Sequence, residues 1–158
     1  MQKAVRILVC GLWLACPLMV HADGGGSNGG SKQSETSSNP QKVQADYEAG
    51  YRLVKAEQYK DAIKAFKKVL KEDPTHAMAY TNMAYSYRKL GQYKEAVALY
   101  EKALALEPNL AEAHEYIGEA FVALGQLEDA KRHLAILEKL DPKMAEDLRA
   151  EIDRHKRS

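Results

Sequence analysis

Cysteine is nearly missing: the 158-residue chain has two, Cys10 and Cys16, and none from residue 23 onward. That longer stretch can therefore hold no disulfide, no thiolate metal ligand and no cysteine nucleophile. An excess of charge of either sign is also lacking. From residue 23 there are 21 Lys and Arg against 22 Asp and Glu, a net charge of about −1 with His neutral. Such a balance gives no general attraction to nucleic acid, whose binding is dominated by phosphate neutralisation. The cluster Arg154, His155, Lys156 and Arg157 is a local departure that suits the negative end of a helix. Catalytic patterns do not occur either. There is no G-x-S-x-G turn and no phosphate-cradling glycine loop, and His76, His114, His133 and His155 stand at unrelated places with no i, i+4 pair. The sequence points to no enzyme, no metal and no cofactor.

No apolar run reaches the roughly 20 residues that a membrane-spanning helix needs. The longest, residues 7–20, is broken by Gly11 and Pro17, follows Lys3 and Arg6, and ends in Val20, His21 and Ala22. A basic start, a short apolar stretch and a small residue at the boundary predict a secretory signal peptide over 1–22. The mature chain then begins at Asp23, exported and without a membrane span, most simply to a bacterial periplasm. Secretion, an uncleaved signal acting as an anchor, or lipidation at Cys16 are the alternatives, the last disfavoured by Trp13 where such sites want leucine. Residues 23–41, DGGGSNGGSKQSETSSNPQ, carry no side chain large enough to seed a core and predict a disordered Gly/Ser-rich linker.

What remains is periodic. Pro74, Pro108 and Pro142 each follow an acidic residue and stand 34 apart. A fixed period of that length marks a helix-turn-helix solenoid, whose units bury their apolar faces against stacked neighbours. Written as 43–76, 77–110 and 111–144, the units align a small column (Gly50, Ala84, Gly118), a second one (Ala62, Ala96, Ala130) and large columns such as Phe66, Tyr100, Leu134. Small residues beside large ones let helices approach closely.

The middle unit, AMAYTNMAYSYRKLGQYKEAVALYEKALALEPNL, resembles a tetratricopeptide repeat. Tyr80, Met83, Ala84, Tyr87, Gly91, Tyr93, Ala96, Tyr100, Ala103 and Pro108 stand where that family's pattern wants them. The flanking units match less completely. The resemblance implies an all-α, right-handed tetratricopeptide solenoid of three repeats closed by a carboxyl-terminal capping helix. Spacing predicts first helices such as 77–90 and second helices near 60–72, 94–106 and 128–140, each stopped before its proline. The cap is expected over 145–156, with Met144, Leu148 and Ile152 on one face, for seven helices and no strand. Gly91 and Gly125 should turn the chain between paired helices in the left-handed conformation. The first unit has Glu57 in that column, which predicts a looser or differently shaped first turn.

In this family the first helix of each unit lines a concave surface. The resemblance therefore nominates Gln44, Tyr47, Tyr51, Val54 and Lys55 in the first unit, and Met78, Thr81, Asn82, Tyr85, Arg88 and Lys89 in the second. Glu112, Glu115, Glu119, Val122 and Ala123 come from the third. Tyr47, Tyr51 and Tyr85 read as exposed aromatics suited to binding, with packing alone as the equal alternative, in a groove basic near the first two units and acidic at the third, a pattern that helix dipoles alone would also give. Tetratricopeptide domains that clamp the terminal carboxylate of heat-shock chaperones keep a lysine and asparagines in the first two units and basic residues in the third. Here only Asn82 matches and Glu112 would repel a carboxylate, so that clamp is not expected. The implied function is a monomeric, non-enzymatic adaptor or assembly factor holding a partner's peptide segment. A self-assembling scaffold and a noncatalytic subunit of an envelope enzyme are the alternatives.

Overall fold

The computed structural model describes residues 39–157. Within them the chain forms seven helices and no strand: α1 Pro40–Lys55, α2 Tyr59–Glu72, α3 Ala77–Lys89, α4 Tyr93–Leu106, α5 Ala111–Ala123, α6 Leu127–Leu140 and α7 Pro142–His155. The predicted signal segment 1–22 and the linker up to residue 38 lie outside the described residues. Consecutive helices pack as antiparallel partners, α1 with α2, α3 with α4 and α5 with α6, while α7 packs on both α5 and α6.

Helix α1 begins before the expected unit boundary at Val43, taking Pro40 and Gln41 out of the predicted linker. The Asn39 side chain accepts hydrogen bonds from the backbone N–H groups of Gln41 (3.0 Å) and Lys42 (3.3 Å). An asparagine cap followed by proline in the first helical position is a start signal, hidden here inside a polar stretch.

The three interhelical turns share one geometry, which corrects the expectation of a different first turn. Glu57 adopts φ +59°, beside +75° at Gly91 and +72° at Gly125. Each is closed by the same pair of bonds. Gln58, Gln92 and Gln126 donate to Leu53, Tyr87 and Phe121 (2.9, 3.0 and 2.8 Å), and Glu57, Gly91 and Gly125 donate to Val54, Arg88 and Val122 (3.0, 2.9 and 2.9 Å). These bonds satisfy carbonyls that a helix end leaves open, and at Glu57 they hold a side-chain-bearing residue in the left-handed region.

The small column has a steric cause. A Cβ on Gly50 would lie 2.8 Å from a ring carbon of Phe66, and one on Gly118 would lie 2.5 Å from a methyl of Leu148. Around these approaches lie two groups of buried side chains. One centres on Phe66, Val69 and Met83, the other on Tyr100, Ile117, Leu137 and Leu148, and Tyr87 and Leu99 pack against both.

The last connection breaks the repeat. Four residues separate α2 from α3 and α4 from α5, but Asp141 alone separates α6 from α7. Its side chain accepts from the N–H groups of Lys143 (3.0 Å) and Met144 (3.1 Å), and Pro142 opens the helix. Helix α7 thus starts at 142, ahead of the expected 145. Ala145, Leu148 and Ile152 are buried beneath it, Met144 half so. Among the described residues no helix is long and apolar enough to cross a membrane.

Candidate functional site

Helices α1, α3 and α5 lie side by side, α3 touching both of the others. Between them a cleft of about 280 Å³ is lined by Tyr51, Val54, Lys55, Glu57, Tyr59, Asn82, Tyr85, Lys89 and Tyr116. Of the nominated residues, Tyr51, Val54, Lys55, Asn82, Tyr85 and Lys89 converge here, whereas Gln44, Tyr47, Met78, Arg88, Glu112, Glu115 and Glu119 do not line it. Glu57, Tyr59 and Tyr116 also line it without having been nominated; Tyr59, aligned with Tyr93 and Leu127 in the repeat, reads there as a packing residue.

The three tyrosines expected to be exposed are not alike. Tyr51 is 40% exposed, with the Lys55 ammonium 5.2 Å from its ring centroid. Tyr47 is half-buried, its ring 4.8 Å from His76 and 5.9 Å from Phe66, and its hydroxyl accepts from Asn82 Nδ2 at 3.0 Å. Burial, and then the neighbouring Tyr51, lift its phenol above the usual range. The same Asn82 nitrogen reaches the Met78 carbonyl at 3.0 Å, so the amide is held by its own helix and by α1. Tyr85 is also half-buried, 6.4 Å from Tyr59 and 5.3 Å from Tyr116.

Arg88 departs furthest from expectation. It does not stand on a basic rim; its guanidinium lies 5.1 Å from the Tyr85 ring centroid and 5.3 Å from that of Tyr116, and is ion-paired with Glu119. A planar cation between aromatic rings with a carboxylate partner is a structural tie between α3 and α5. The cations of the cleft are therefore Lys55 and Lys89, both exposed. On α5, burial and then the carboxylates of Glu119 and Asp147 push Glu115 up to about 7, with Arg88 offsetting part of that. Val122 and Thr81 are buried and offer nothing to a groove.

The histidines are also closer than their spacing suggests. His114 on α5 and His133 on α6 bring their Nδ1 atoms within 2.9 Å, a contact between facing helices that no local periodicity displays. Among the described residues no group of three or more His, Cys, Asp or Glu could hold a metal ion.

Two family models match the chain, one described as tetratricopeptide repeat over residues 53–98 and one as TPR repeat over 84–125. The chain carries tetratricopeptide repeats. Solved tetratricopeptide structures agree. The first TPR of Spaghetti (RPAP3), bound to the HSP90 peptide SRMEEVD, is 28% identical with a TM-score of 0.69, over 75% of this chain and 95% of that one. The second TPR domain of human RPAP3, in complex with the HSP70 peptide SGPTIEEVD, is 25% identical with a TM-score of 0.67, over 74% and 97%. The Yersinia enterocolitica type III secretion chaperone SycD, in complex with a YopD peptide, shares the fold at 16% identity and a TM-score of 0.68, over 73% and 93%. No curated protein matches the chain.

Proposed function

We propose that this protein is an exported, monomeric, non-enzymatic interaction module that holds an acidic peptide segment of a partner protein in the cleft between α1, α3 and α5, with α7 as a cap. The observation carrying this is the lining: two exposed lysines, Lys55 and Lys89, against the single carboxylate of Glu57, beside the Asn82 amide and the tyrosines of the cleft. Lysines offer charge, tyrosines offer area with a polar tip, and the Asn82 Oδ1 can accept from a peptide N–H. Likeness to tetratricopeptide domains holding the peptides SRMEEVD and SGPTIEEVD, each with paired glutamates, supports the reading. Glu112 on α5 and Tyr116 in the lining leave no basic cradle for a carboxyl terminus, so the acid recognised is a side chain within the peptide.

The test is fluorescence anisotropy with a glutamate-rich peptide, its carboxyl terminus free or amidated, against a lysine-rich control. The acidic peptide should bind with either terminus. The double variant Lys55→Glu, Lys89→Glu should weaken it by about tenfold or more at low salt, where such charges act most strongly. No preference for the acidic peptide, or full binding by the double variant, overturns the assignment. Export rests on residues 1–22, and mass spectrometry of the exported chain checks it: a chain starting at Asp23 supports cleavage, whereas retained residues or a lipid mass at Cys16 contradict it.

A further inference from the structure

The His114–His133 contact takes no part in the cleft, yet its hydrogen-bond logic is tightly specified. His114 is buried, and its Nε2 lies 2.9 Å from the Pro108 carbonyl, an oxygen that can only accept. Nε2 therefore carries a hydrogen, and in the neutral ring Nδ1 is a bare acceptor. The His133 Nδ1 facing it at 2.9 Å must then be the donor. Protons thus define a chain from α6 through α5 to the turn between α4 and α5. A second proton has no good place on this pair: on His114 Nδ1 it sets two N–H groups face to face, and on His133 Nε2 it puts a charge on a half-buried ring.

We propose that this pair is a proton-sensitive latch, closed while both rings are neutral, that holds the third helix pair and its groove wall against the α4–α5 turn. Burial disfavours a cation at His133, whose ring stacks on Phe121 at 5.6 Å, and the charged or titratable groups acting on it are His114 from α5 and Arg132 from α6 itself. None from α7 or the α4–α5 turn is among them. Burial first, then His114 and Arg132, hold His133 down to about 4. Unfolded histidine takes its proton near 6.5. The latch's stabilisation is therefore present above pH 6.5 and lost as pH falls toward 4, because the open state binds the proton first. Helix α5 also carries Tyr116 of the cleft, so opening the latch loosens one wall of the peptide site.

Glu115 acts with the opposite sign over part of this range, so the experiment must be residue-specific. Nitrogen-15 imidazole shifts of the full chain should show neutral His133 with its hydrogen on Nδ1 and a titration well below 6. Hydrogen exchange corrected for intrinsic rates should show α5, α6 and the α4–α5 turn losing protection relative to α1 and α2 below pH 6.5, by at most about tenfold per pH unit. His133→Asn keeps a donor near the Nδ1 position without titrating, and should remove that difference while leaving protection at pH 7.5 close to the unmodified chain. An Nε2–H tautomer at His133, a titration near 6.5, or parallel pH profiles for the two proteins would overturn the latch. If the variant does not fold, the titration of the unmodified chain decides alone. Loss of peptide binding has no bearing on these readouts, so the latch and the cleft fail separately.

Discussion

Replacing Glu57 by glycine isolates one backbone torsion. The residue sits at φ +59° in a turn whose hydrogen bonds match those at Gly91 and Gly125, so the change removes a steric penalty and leaves the rest of the turn in place. A side-chain-bearing residue in the left-handed region costs roughly 1–2 kcal/mol, and glycine returns about 0.4–1 kcal/mol by loosening the unfolded chain. The net expectation for Glu57→Gly is a gain of between zero and about 1.5 kcal/mol. Gly91→Ala is the reverse experiment in a clean setting, because a Cβ there would meet nothing within 4 Å. It should lose about 1 kcal/mol through torsion alone. Urea unfolding followed by circular dichroism reads both as midpoint shifts at constant slope. Repeat arrays can unfold unit by unit, so exchange at the Glu57 and Gln58 amides should accompany the melts. A Glu57→Gly variant less stable than the parent, with Gly91→Ala unchanged, would show that torsional strain does not govern these turns.

Other substitutions separate packing from recognition. Gly118→Ala should cost about 1–3 kcal/mol by overpacking, since its Cβ would meet Leu148 methyls at 2.5 and 2.9 Å. Combining it with Leu148→Ala should cost less than the sum of the two melts, and strict additivity would refute the contact. Glu115→Gln should raise the melting temperature above pH 7, and the gap should close as pH falls through 7 toward 4.5, because the folded parent takes up a proton that its unfolded chain does not; a gap independent of pH contradicts the crowding of carboxylates. Tyr51→Ala should leave the melt within about 0.5 kcal/mol and weaken peptide binding, whereas Tyr47→Ala should lower stability through its Phe66 and Asn82 contacts; equal melts for the two would undo the distinction drawn between them.

Repetition made the scaffold legible. Prolines at a fixed spacing, glycines at Gly91 and Gly125 and the small columns report local backbone demands, and each helix boundary falls close to the place they imply. The site was less legible because its geometry is tertiary. Tyr47 and Tyr51 sit one helical turn apart with equal claim to a concave face, and only Phe66 and His76, arriving from α2 and the next turn, bury one of them. Arg88 reads as a rim cation until Tyr116 and Glu119 are brought against it from a helix some thirty residues on. The same holds for His114 and His133. Glu57 misled for another reason: the demand for a left-handed residue is present, and a surrounding turn strong enough to impose it on glutamate leaves no mark in the sequence.

The single-residue connection at Asp141 also determines how such a chain could lengthen. Because α7 starts out of step with the 34-residue period and turns charged residues such as Glu146, Asp147 and Arg149 outward, a unit appended beyond it would meet no apolar face. A copy of residues 77–110 inserted after Leu110 would instead find the second unit behind it and the third ahead, with both ends of the array unchanged. Lengthening by internal duplication would therefore leave both ends of the helical array as they are and extend the groove between them.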